Sequence, residues 1–301
     1  MPQDYRIPVF KAMDYISQNL CFNPTLEEIA CAVAVSSFHF HRIFKAQIGE
    51  TIAGFTRRLR MERAAMWLVE FPRSDITDLA LRVGFSSSQN FAKAFRQHFS
   101  VSPGEFRRQH VIALKSKTGN VTTEKSTYSQ TNEDIPTGWT DGRFISASIV
   151  PVPERRVAYM RRFGAYGKET CWLAHQDLFT SFPDRIPPQP AGMVCVYWDA
   201  PLVTPDSRCR TDVCVELHRG EKPGRGVAIQ TMTGGAYAVC KFAVCGEYLD
   251  AAWDNAFAWI KARGLTRSDF PCYEKYYNET DVALDYYVFD IFIPLKNTPA
   301  I

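Results

Sequence analysis

Apolar side chains recur every three or four positions between residues 5 and 110, with no alternating β-branched runs among them. This spacing is typical of helices that bury one face, so it predicts an all-α N-terminal region. From residue 144 onward, alternating β-branched and aromatic stretches predict the strands of an antiparallel sheet. The predicted strands are Phe144–Val152, Arg156–Phe163, Met193–Trp198, Thr211–His218, Val227–Met232, Ala236–Val244 and Tyr286–Pro294, and the predicted helices between them are Lys168–Ser181 and Tyr248–Arg263.

The order strand, strand, helix, strand, strand occurs twice in the second half, so we expect an α+β domain with internal pseudo-twofold symmetry. Between the two patterns, residues 111–142 are rich in Lys, Ser, Thr and Asn, a composition typical of a linker. The chain is therefore predicted to be multidomain, with an all-α domain at 1–110, a linker at 111–142 and the α+β domain at 143–301.

The helical region contains an internal repeat with an offset of about 50 residues. The segment 26–37 matches 76–87, and after one inserted residue Phe40 and Phe44 correspond to Phe91 and Phe95. Each copy has a short helix, a tight break and a second helix that begins near a serine, which is the pattern of a helix-turn-helix unit. Capping residues open the first helix of each copy, Thr25 with Glu28 and Asp75 with Asp78.

The turn between the two helices differs between the two copies at one position. Gly84 adopts positive φ without steric cost, whereas Ala34 stands at the equivalent position of the first copy and is expected to have a slightly different turn. Between the copies, residues 52–71 form one predicted long helix of roughly 30 Å. This length approaches the roughly 34 Å between successive major grooves, so a single chain that contains both units could bind double-stranded DNA as a monomer.

Charge supports a polyanion partner for the first half alone. The formal net charge is +3, but residues 1–115 contain 15 Lys and Arg against 10 Asp and Glu, while the remaining residues contain 20 against 22. The nine cysteines show no C-x-x-C spacing, no signal peptide precedes them, and no stretch of about eighteen apolar residues occurs. We therefore expect reduced thiols, no metal site, no other cofactor, no membrane association and a cytoplasmic location.

Several ordered segments resemble the AraC/XylS family of transcriptional regulators. They are Phe38–Lys45, Arg60–Ala64, Val83–Ser87 and Phe95–Arg107, and the resemblance spans about residues 8–108. In that family the exposed N-terminal positions of the two second helices face base edges. The resemblance implies base contacts by Ser37, Phe38, His41 and Arg42 in the first unit, and by Ser88, Gln89, Asn90 and Lys93 in the second.

These residue types suit base recognition, since Arg42 can bond guanine, Gln89 or Asn90 can bond adenine, and Phe38 can touch a thymine methyl group. Phosphate contacts are expected from Lys45, Arg57, Arg58 and Arg96. Alternative interpretations stay open for the charges: Arg57, Arg58, Arg60 and Arg63 could form a solvated helix face, and Arg60 and Glu62 could be internal ion-pair partners. The phenylalanines of the repeat are interpreted as core.

The second half places a carboxylate among aromatic residues at Tyr273-Glu274-Lys275-Tyr276-Tyr277. Strand alternation puts Glu274 and Tyr276 on one face and the other three residues on the opposite face. A desolvated Glu274 could hold a cation against aromatic rings, whereas the simpler alternative is a surface Glu274 paired with Lys275 or Arg267. No nucleophile elbow or phosphate loop occurs in this half.

The second half also resembles the GyrI-like effector-binding domain, over about residues 143–296. The motifs are Gly-x-Tyr-Gly at 164–167, Val-Tyr-Trp-Asp at 196–199 and Tyr-Glu-x-Tyr at 273–276. In that family a glutamate at the position of Glu274 lies in an aromatic pocket for cationic or lipophilic compounds, and the carry-over makes Tyr166, Trp198 and Tyr276 candidate pocket walls. Trp198 stands where tyrosine is usual. The combination of the two domains resembles the Rob-like regulators.

The sequence thus predicts a DNA-binding transcriptional regulator that responds to a small-molecule effector, is not an enzyme, and has RNA polymerase as a possible further partner. Two alternatives concern the second domain. It could be a small hydrolase in which Glu274 and Tyr166 or Tyr276 act as base and orienting group, or it could be a protein-interaction module without a compact pocket.

Overall fold

The computed structural model describes residues 5–118, 143–183, 192–224, 226–277, 280–281 and 283–296. These residues fall into two compact units, one helical and one built on a sheet. The predicted linker is described only as far as Thr118, where the last helix of the helical unit ends, and the rest of it lies outside the described residues. None of the helices in the described ranges is long and apolar enough to span a membrane.

The helical unit follows the predicted double helix-turn-helix pattern, with a long helix between the two copies. Its helices are α1 (Arg6–Gln18), α2 (Leu26–Ala32), α3 (Ser37–Ile48), α4 (Ile52–Glu70), α5 (Ile76–Arg82), α6 (Ser88–Phe99) and α7 (Pro103–Thr118), with a short 3-10 helix at Leu20–Phe22.

Side-chain caps fix where the first helix of each unit begins. Thr25 Oγ1 accepts from the Glu28 amide, and the Glu28 carboxylate accepts from the Thr25 amide, which completes a capping box at α2. At α5, Asp75 Oδ1 accepts from the amides of Thr77 and Asp78 at 2.7 and 3.1 Å. These bonds lower the pKa of Asp75 and satisfy amides that have no partner within the helix.

Phenylalanines form the core of both units, as the repeat predicts. In the first unit the ring of Phe44 lies between those of Phe40 and Phe55, with centroids 5.9 and 5.5 Å away. In the second, Phe95 packs against Phe91 at 5.6 Å. All five side chains are fully buried, and burial of each contributes roughly 2 kcal/mol.

The turns of the two units have the same backbone geometry despite the difference between Ala34 and Gly84. Ala34 has φ +56° and Gly84 has φ +83°, so both lie in the left-handed region. Equivalent hydrogen bonds close the turns, from the Val35 amide to Ala30 O at 3.1 Å and from the Phe85 amide to Ala80 O at 2.9 Å. The expectation of a different first turn is therefore wrong, and Ala34 accepts a conformation that disfavours any Cβ.

The second unit is an antiparallel sheet with two helices packed on one face, which confirms the predicted α+β class. Cys272–Tyr276 forms a strand that was missing from the predicted set. The strands are β1 (Arg143–Val152), β2 (Arg155–Phe163), β3 (Val194–Tyr197), β4 (Arg210–Glu216), β5 (Ala228–Met232), β6 (Gly235–Cys245), β7 (Cys272–Tyr276) and β8 (Tyr286–Pro294), and the helices are α8 (Lys168–Ser181) and α9 (Leu249–Ala262).

The sheet has the predicted pseudo-twofold symmetry. Its strand order is β1-β6-β8-β7-β3-β4-β2-β5. Replacing β1 to β4 by β5 to β8, and the reverse, gives the same order read from the other end of the sheet. The pseudo-twofold axis therefore passes between β7 and β3, which pair antiparallel with Glu274 opposite Cys195. Glu274 thus lies at the centre of the sheet, on the face that packs against α8 and α9.

Candidate functional site

Helix α3 presents the predicted base-contacting residues of the first helix-turn-helix unit on its first turns. Phe38 is 78% exposed, Arg42 is exposed, and Ser37 and His41 are half-buried beside them. A large aromatic side chain with this exposure has no structural role in the core of the unit. The exposed end of α3 therefore combines an apolar side chain with a cationic one.

Helix α6 presents a different set at the equivalent place. Gln89, Asn90 and Lys93 are exposed and Ser88 is half-buried. The Ser87 hydroxyl accepts from the Asn90 amide at 3.2 Å and fixes the start of the helix. The exposed end of α6 is therefore polar throughout, with two amide side chains and one ammonium.

Three of the four predicted phosphate contacts lie on the surface. Lys45 and Arg57 are exposed, and Arg96 is 65% exposed and pairs with Glu105 at 3.5 Å. An exposed pair of this kind contributes little to stability.

Arg58 was wrongly predicted to contact phosphate. Its side chain is only 7% exposed and forms ion pairs with Glu50 at 2.8 Å and Glu62 at 3.2 Å. Desolvation by burial lowers the pKa of Arg58, but the half-buried Glu50 and the buried Glu62 together raise it. Arg58 is therefore an internal ion-pair partner of these two carboxylates.

Arg60 is also buried, and its partner is not Glu62. The guanidinium donates to Leu20 O at 2.8 and 3.0 Å and to Gly84 O at 3.4 Å. It thereby connects the segment before the first helix-turn-helix unit with the turn of the second, so the alternative of an Arg60–Glu62 pair is wrong.

The second candidate site centres on Glu274 in β7, which is 2% exposed. Trp253 Nε1 donates to Oε1 at 2.7 Å, and the hydroxyls of Tyr197 and Tyr276 donate to Oε2 at 2.5 and 2.8 Å. The carboxylate therefore lies in an aromatic environment and is not paired with Lys275 or Arg267 at the surface. The simpler interpretation from the sequence is wrong.

Burial dominates the electrostatics of this cluster. It raises the pKa of Glu274, although the three hydrogen bonds act in the opposite direction. Burial also raises the pKa of Tyr197 and Tyr276 well above the usual value, so both remain protonated donors. No cationic side chain is among the hydrogen-bond partners of Glu274 in the described part of the chain, and the nearby carboxylate of Asp250 raises its pKa further.

Tyr166 lies one ring away from the carboxylate. Its ring centroid is 4.8 Å from that of Tyr197, and its hydroxyl donates to Asp199 O at 2.9 Å and accepts from the Asp199 amide at 2.7 Å. Tyr166 therefore packs against the ring of Tyr197 and does not bond Glu274 directly.

Trp198 was placed wrongly in this pocket. Its indole N–H donates to Asp212 Oδ2 at 2.6 Å, and the guanidinium carbons of Arg161 and Arg210 lie 5.2 and 5.5 Å from its ring. Successive strand residues face opposite sides, so Tyr197, one position earlier, is the pocket residue and Trp198 belongs to the other face.

Sequence reasoning missed Tyr197 and Trp253. Alternation from Glu274 through its β3 neighbour Cys195 identifies Tyr197 once the β3–β7 register is known. Trp253 comes from α9, and only the helix packing brings it to the carboxylate. Among the described residues, no group of three or more His, Cys, Asp or Glu has a geometry suited to a metal ion, and none of the nine cysteines there forms a disulfide.

Family comparisons match both the sheet-containing unit and the helical unit. A model described as a GyrI-like small molecule binding domain matches residues 146–296, and a helix-turn-helix domain model matches residues 29–109.

The curated relatives match part of the chain. The chain is 32% identical to the uncharacterized HTH-type transcriptional regulator YbfP of Bacillus subtilis over 103 residues, which are 34% of this chain and 35% of that protein. It is 33% identical to the transcriptional regulator Rob of Salmonella typhimurium over 84 residues, 28% of this chain and 29% of Rob. The matches thus span about a third of each relative.

A solved structure shows the same partial coverage. The C-terminal domain of AraT, a response regulator from Geobacillus stearothermophilus, is 31% identical, with a TM-score of 0.33, and the match covers 35% of this chain and 88% of that one. With a GyrI-like match over half of its length and the double helix-turn-helix unit before it, the chain belongs to the GyrI-like family of small molecule binding domains, joined here to an AraC-type DNA-binding domain.

Proposed function

We propose that the protein is a transcriptional regulator that binds double-stranded DNA through α3 and α6 and responds to an organic cation bound at Glu274. The observation that supports the effector most directly is the buried carboxylate held by Tyr197, Tyr276 and Trp253. A buried charge without a cationic partner is costly, and a cationic ligand offsets that cost.

The DNA part of the proposal rests on the exposed ends of α3 and α6. Arg42 is suited to guanine, Gln89 and Asn90 to adenine, and Phe38 to thymine methyl groups. Lys45, Arg57 and Arg96 supply phosphate contacts, which fix the register of the protein on the duplex. Since one chain contains both units, we expect a monomer to be sufficient, and RNA polymerase stays a predicted further partner.

Effector binding requires a change at the Glu274 site. The carboxylate is almost fully buried behind its three donors, so a ligand reaches it only when at least one of these side chains moves. Trp253 is half-buried and comes from α9, whereas Tyr197 and Tyr276 come from the central strands β3 and β7. We expect the indole of Trp253 to move and then to contact the bound cation through its ring face.

Titration with tetraphenylphosphonium, followed by tryptophan fluorescence and calorimetry on the full chain, tests the effector. Glu274→Gln keeps the shape of the side chain but removes its charge, and we expect at least tenfold weaker binding. Asp290→Asn is the matched control, because Asp290 is a buried carboxylate on the neighbouring strand that faces the other side of the sheet. Equal affinity of wild type and Glu274→Gln would contradict the proposal.

The pH dependence follows from the raised pKa of Glu274. Protonation removes the charge that attracts the ligand, so affinity for a permanent cation falls as the pH decreases through that pKa. The Glu274→Gln variant should bind with no such dependence. Chemical analysis of the recovered ligand separates sensing from hydrolysis, because a sensor returns the ligand unchanged.

DNA binding is tested by selecting a preferred duplex from random sequences and then measuring gel shifts. The combined replacement of Arg42 and Gln89 by alanine should remove sequence preference but leave salt-dependent nonspecific binding. Unchanged preference would show that α3 and α6 are not the recognition helices.

A further inference from the structure

A cysteine thiol joins the hydrogen-bond network of Glu274. Cys171, in the first turns of α8, has its Sγ 3.5 Å from the Tyr197 hydroxyl oxygen. That oxygen is in turn 2.5 Å from Glu274 Oε2. The phenol has one proton and donates it to the carboxylate, so its oxygen is the acceptor for the Cys171 S–H. The three groups form a continuous path from a thiol to a buried base.

This path is suited to removing the proton from Cys171 when the sulfur attacks. A proton passed from the thiol to Tyr197 releases the phenol proton to Glu274, whose pKa burial raises above that of a surface carboxyl. A base with a raised pKa accepts protons more readily near neutral pH. Neighbouring Cys195 is fully buried on β3 and hydrogen-bonds Cys171 instead of the phenol, so it lies outside this path, and burial raises its pKa well above the usual value.

The surroundings of Cys171 favour flat, conjugated molecules. The ring of Tyr197 lies 4.8 Å from that of Tyr166 and 5.6 Å from that of Trp253, and Tyr276 bonds the same carboxylate. Aromatic faces of this kind stack with planar ligands.

We infer that Cys171 captures flat α,β-unsaturated carbonyl compounds, such as quinones, as a stoichiometric covalent adduct in the effector site. The inference rests on the proposed function, because it uses the same site and the same opening. It adds a second class of effector, soft electrophiles, to the organic cations expected at Glu274.

The addition balances without an oxidant or a reductant. The sulfur forms a bond to the β-carbon of the electrophile, and the electron pair of the C=C bond moves toward the carbonyl to give an enolate. The thiol proton passes through Tyr197 to Glu274 and then to the enolate. The product is a neutral thioether, so the site returns to its starting protonation state with the ligand attached.

The experiment uses the full chain with its three exposed cysteines, Cys21, Cys31 and Cys245, replaced by serine, which leaves six buried thiols. After incubation with 1,4-naphthoquinone, intact mass and peptide mapping should show a single adduct on Cys171. Cys171→Ala should abolish it. Cys214→Ala is the matched control, since Cys214 is a buried thiol on β4, and its replacement should leave the adduct in place.

Tyr197→Phe tests the proton path separately from packing, because phenylalanine keeps the ring and removes only the oxygen. General acid–base assistance of this kind is worth at least about 100-fold, so we expect the modification rate to fall by about that factor and its pH dependence to move to that of an unassisted thiol. An adduct spread over several buried thiols, or an unchanged rate in Tyr197→Phe, would overturn the inference.

Failure of the inference is distinguishable from failure of the proposed function. Titration of the serine background with tetraphenylphosphonium reports cation binding independently of any adduct. Cation binding without modification of Cys171 overturns only the covalent capture. Modification of Cys171 without cation binding supports the capture and contradicts the proposed effector class.

Discussion

The two helix-turn-helix units share a backbone but differ in how their turns are packed. Ala34 in the first turn is exposed, so its Cβ costs only the strain of positive φ, about 1 kcal/mol. A Cβ at Gly84 in the second turn would lie 2.9 Å from the Arg60 guanidinium and 3.0 Å from Leu20 O. A positive φ alone therefore does not require glycine here, since alanine adopts it at position 34. Glycine is required where a positive φ is combined with a neighbouring backbone carbonyl, as at position 84.

The units also differ at their exposed ends. The first offers an aromatic ring and a guanidinium at Phe38 and Arg42, and the second offers amides at Gln89 and Asn90. Because the cores are alike and the surfaces are not, the repeat has conserved geometry while the two copies present different chemistry. Each copy should therefore prefer a different base sequence.

The largest expected effect is the loss of the ion pairs on α4, the helix between the two units. Arg58→Ala removes the ion pairs to the buried Glu62 and the half-buried Glu50, which should destabilise the helical unit by about 3 kcal/mol. Urea denaturation followed by circular dichroism measures it. The matched control is Arg57→Ala, because this exposed neighbour should change stability by less than about 0.5 kcal/mol and should instead reduce the salt dependence of DNA binding.

Gly84→Ala should cost about 2 kcal/mol, since it adds a strained φ and a clash with Leu20 O. Denaturation of the full chain gives the value. The comparison between the turns would fail if this variant were as stable as the wild type, because alanine would then be tolerated equally at both positions.

Arg42→Ala and Gln89→Ala should each reduce discrimination at one base pair by about 1 to 2 kcal/mol, and the affected base pairs should differ between the two variants. Gel shifts on the selected duplex and its single-base variants measure both. Loss of preference at the same base pair in both variants would contradict separate readout by α3 and α6.

Ala34→Gly should have the smallest effect. It relieves roughly 1 kcal/mol of backbone strain but adds unfolded-state entropy worth somewhat less, so we expect a gain of about 0.5 kcal/mol. Ala32→Gly, at the exposed end of α2, is the control and should be destabilising by up to about 1 kcal/mol. A loss of stability in Ala34→Gly would show that the first turn is not strained.

Local pattern was sufficient for much of this fold. The caps at Thr25 and Asp75, the phenylalanine core and the faces of β7 follow from spacing and alternation within a few residues. Long-range packing was not accessible in the same way. Arg57 and Arg58 are adjacent in sequence and chemically identical, yet only the packing of the other helices around α4 buries Arg58 together with Glu62, which lies one turn further along α4.

The same limit applies to the effector site. Glu274 and Tyr276 are two residues apart on one strand, so alternation placed them together. Trp198 and Tyr197 could be distinguished only by the register between β3 and β7, which shifts every side chain to the other face when it changes by one residue. Trp253 and Cys171 arrive from two helices, and no short-range pattern links either to Glu274.

The hydrogen bonds of Arg60 bear on which DNA duplexes the protein should prefer. By bonding Leu20 O and Gly84 O, it holds the two units at a fixed separation, which a loop between them would not do. If the length of α4, about 28 Å, sets the spacing of α3 and α6, that spacing falls short of the roughly 34 Å of one turn of relaxed duplex. We then expect bound DNA to curve toward the protein, so duplexes with easily bent steps between the two contacted segments should be favoured at positions that no side chain touches.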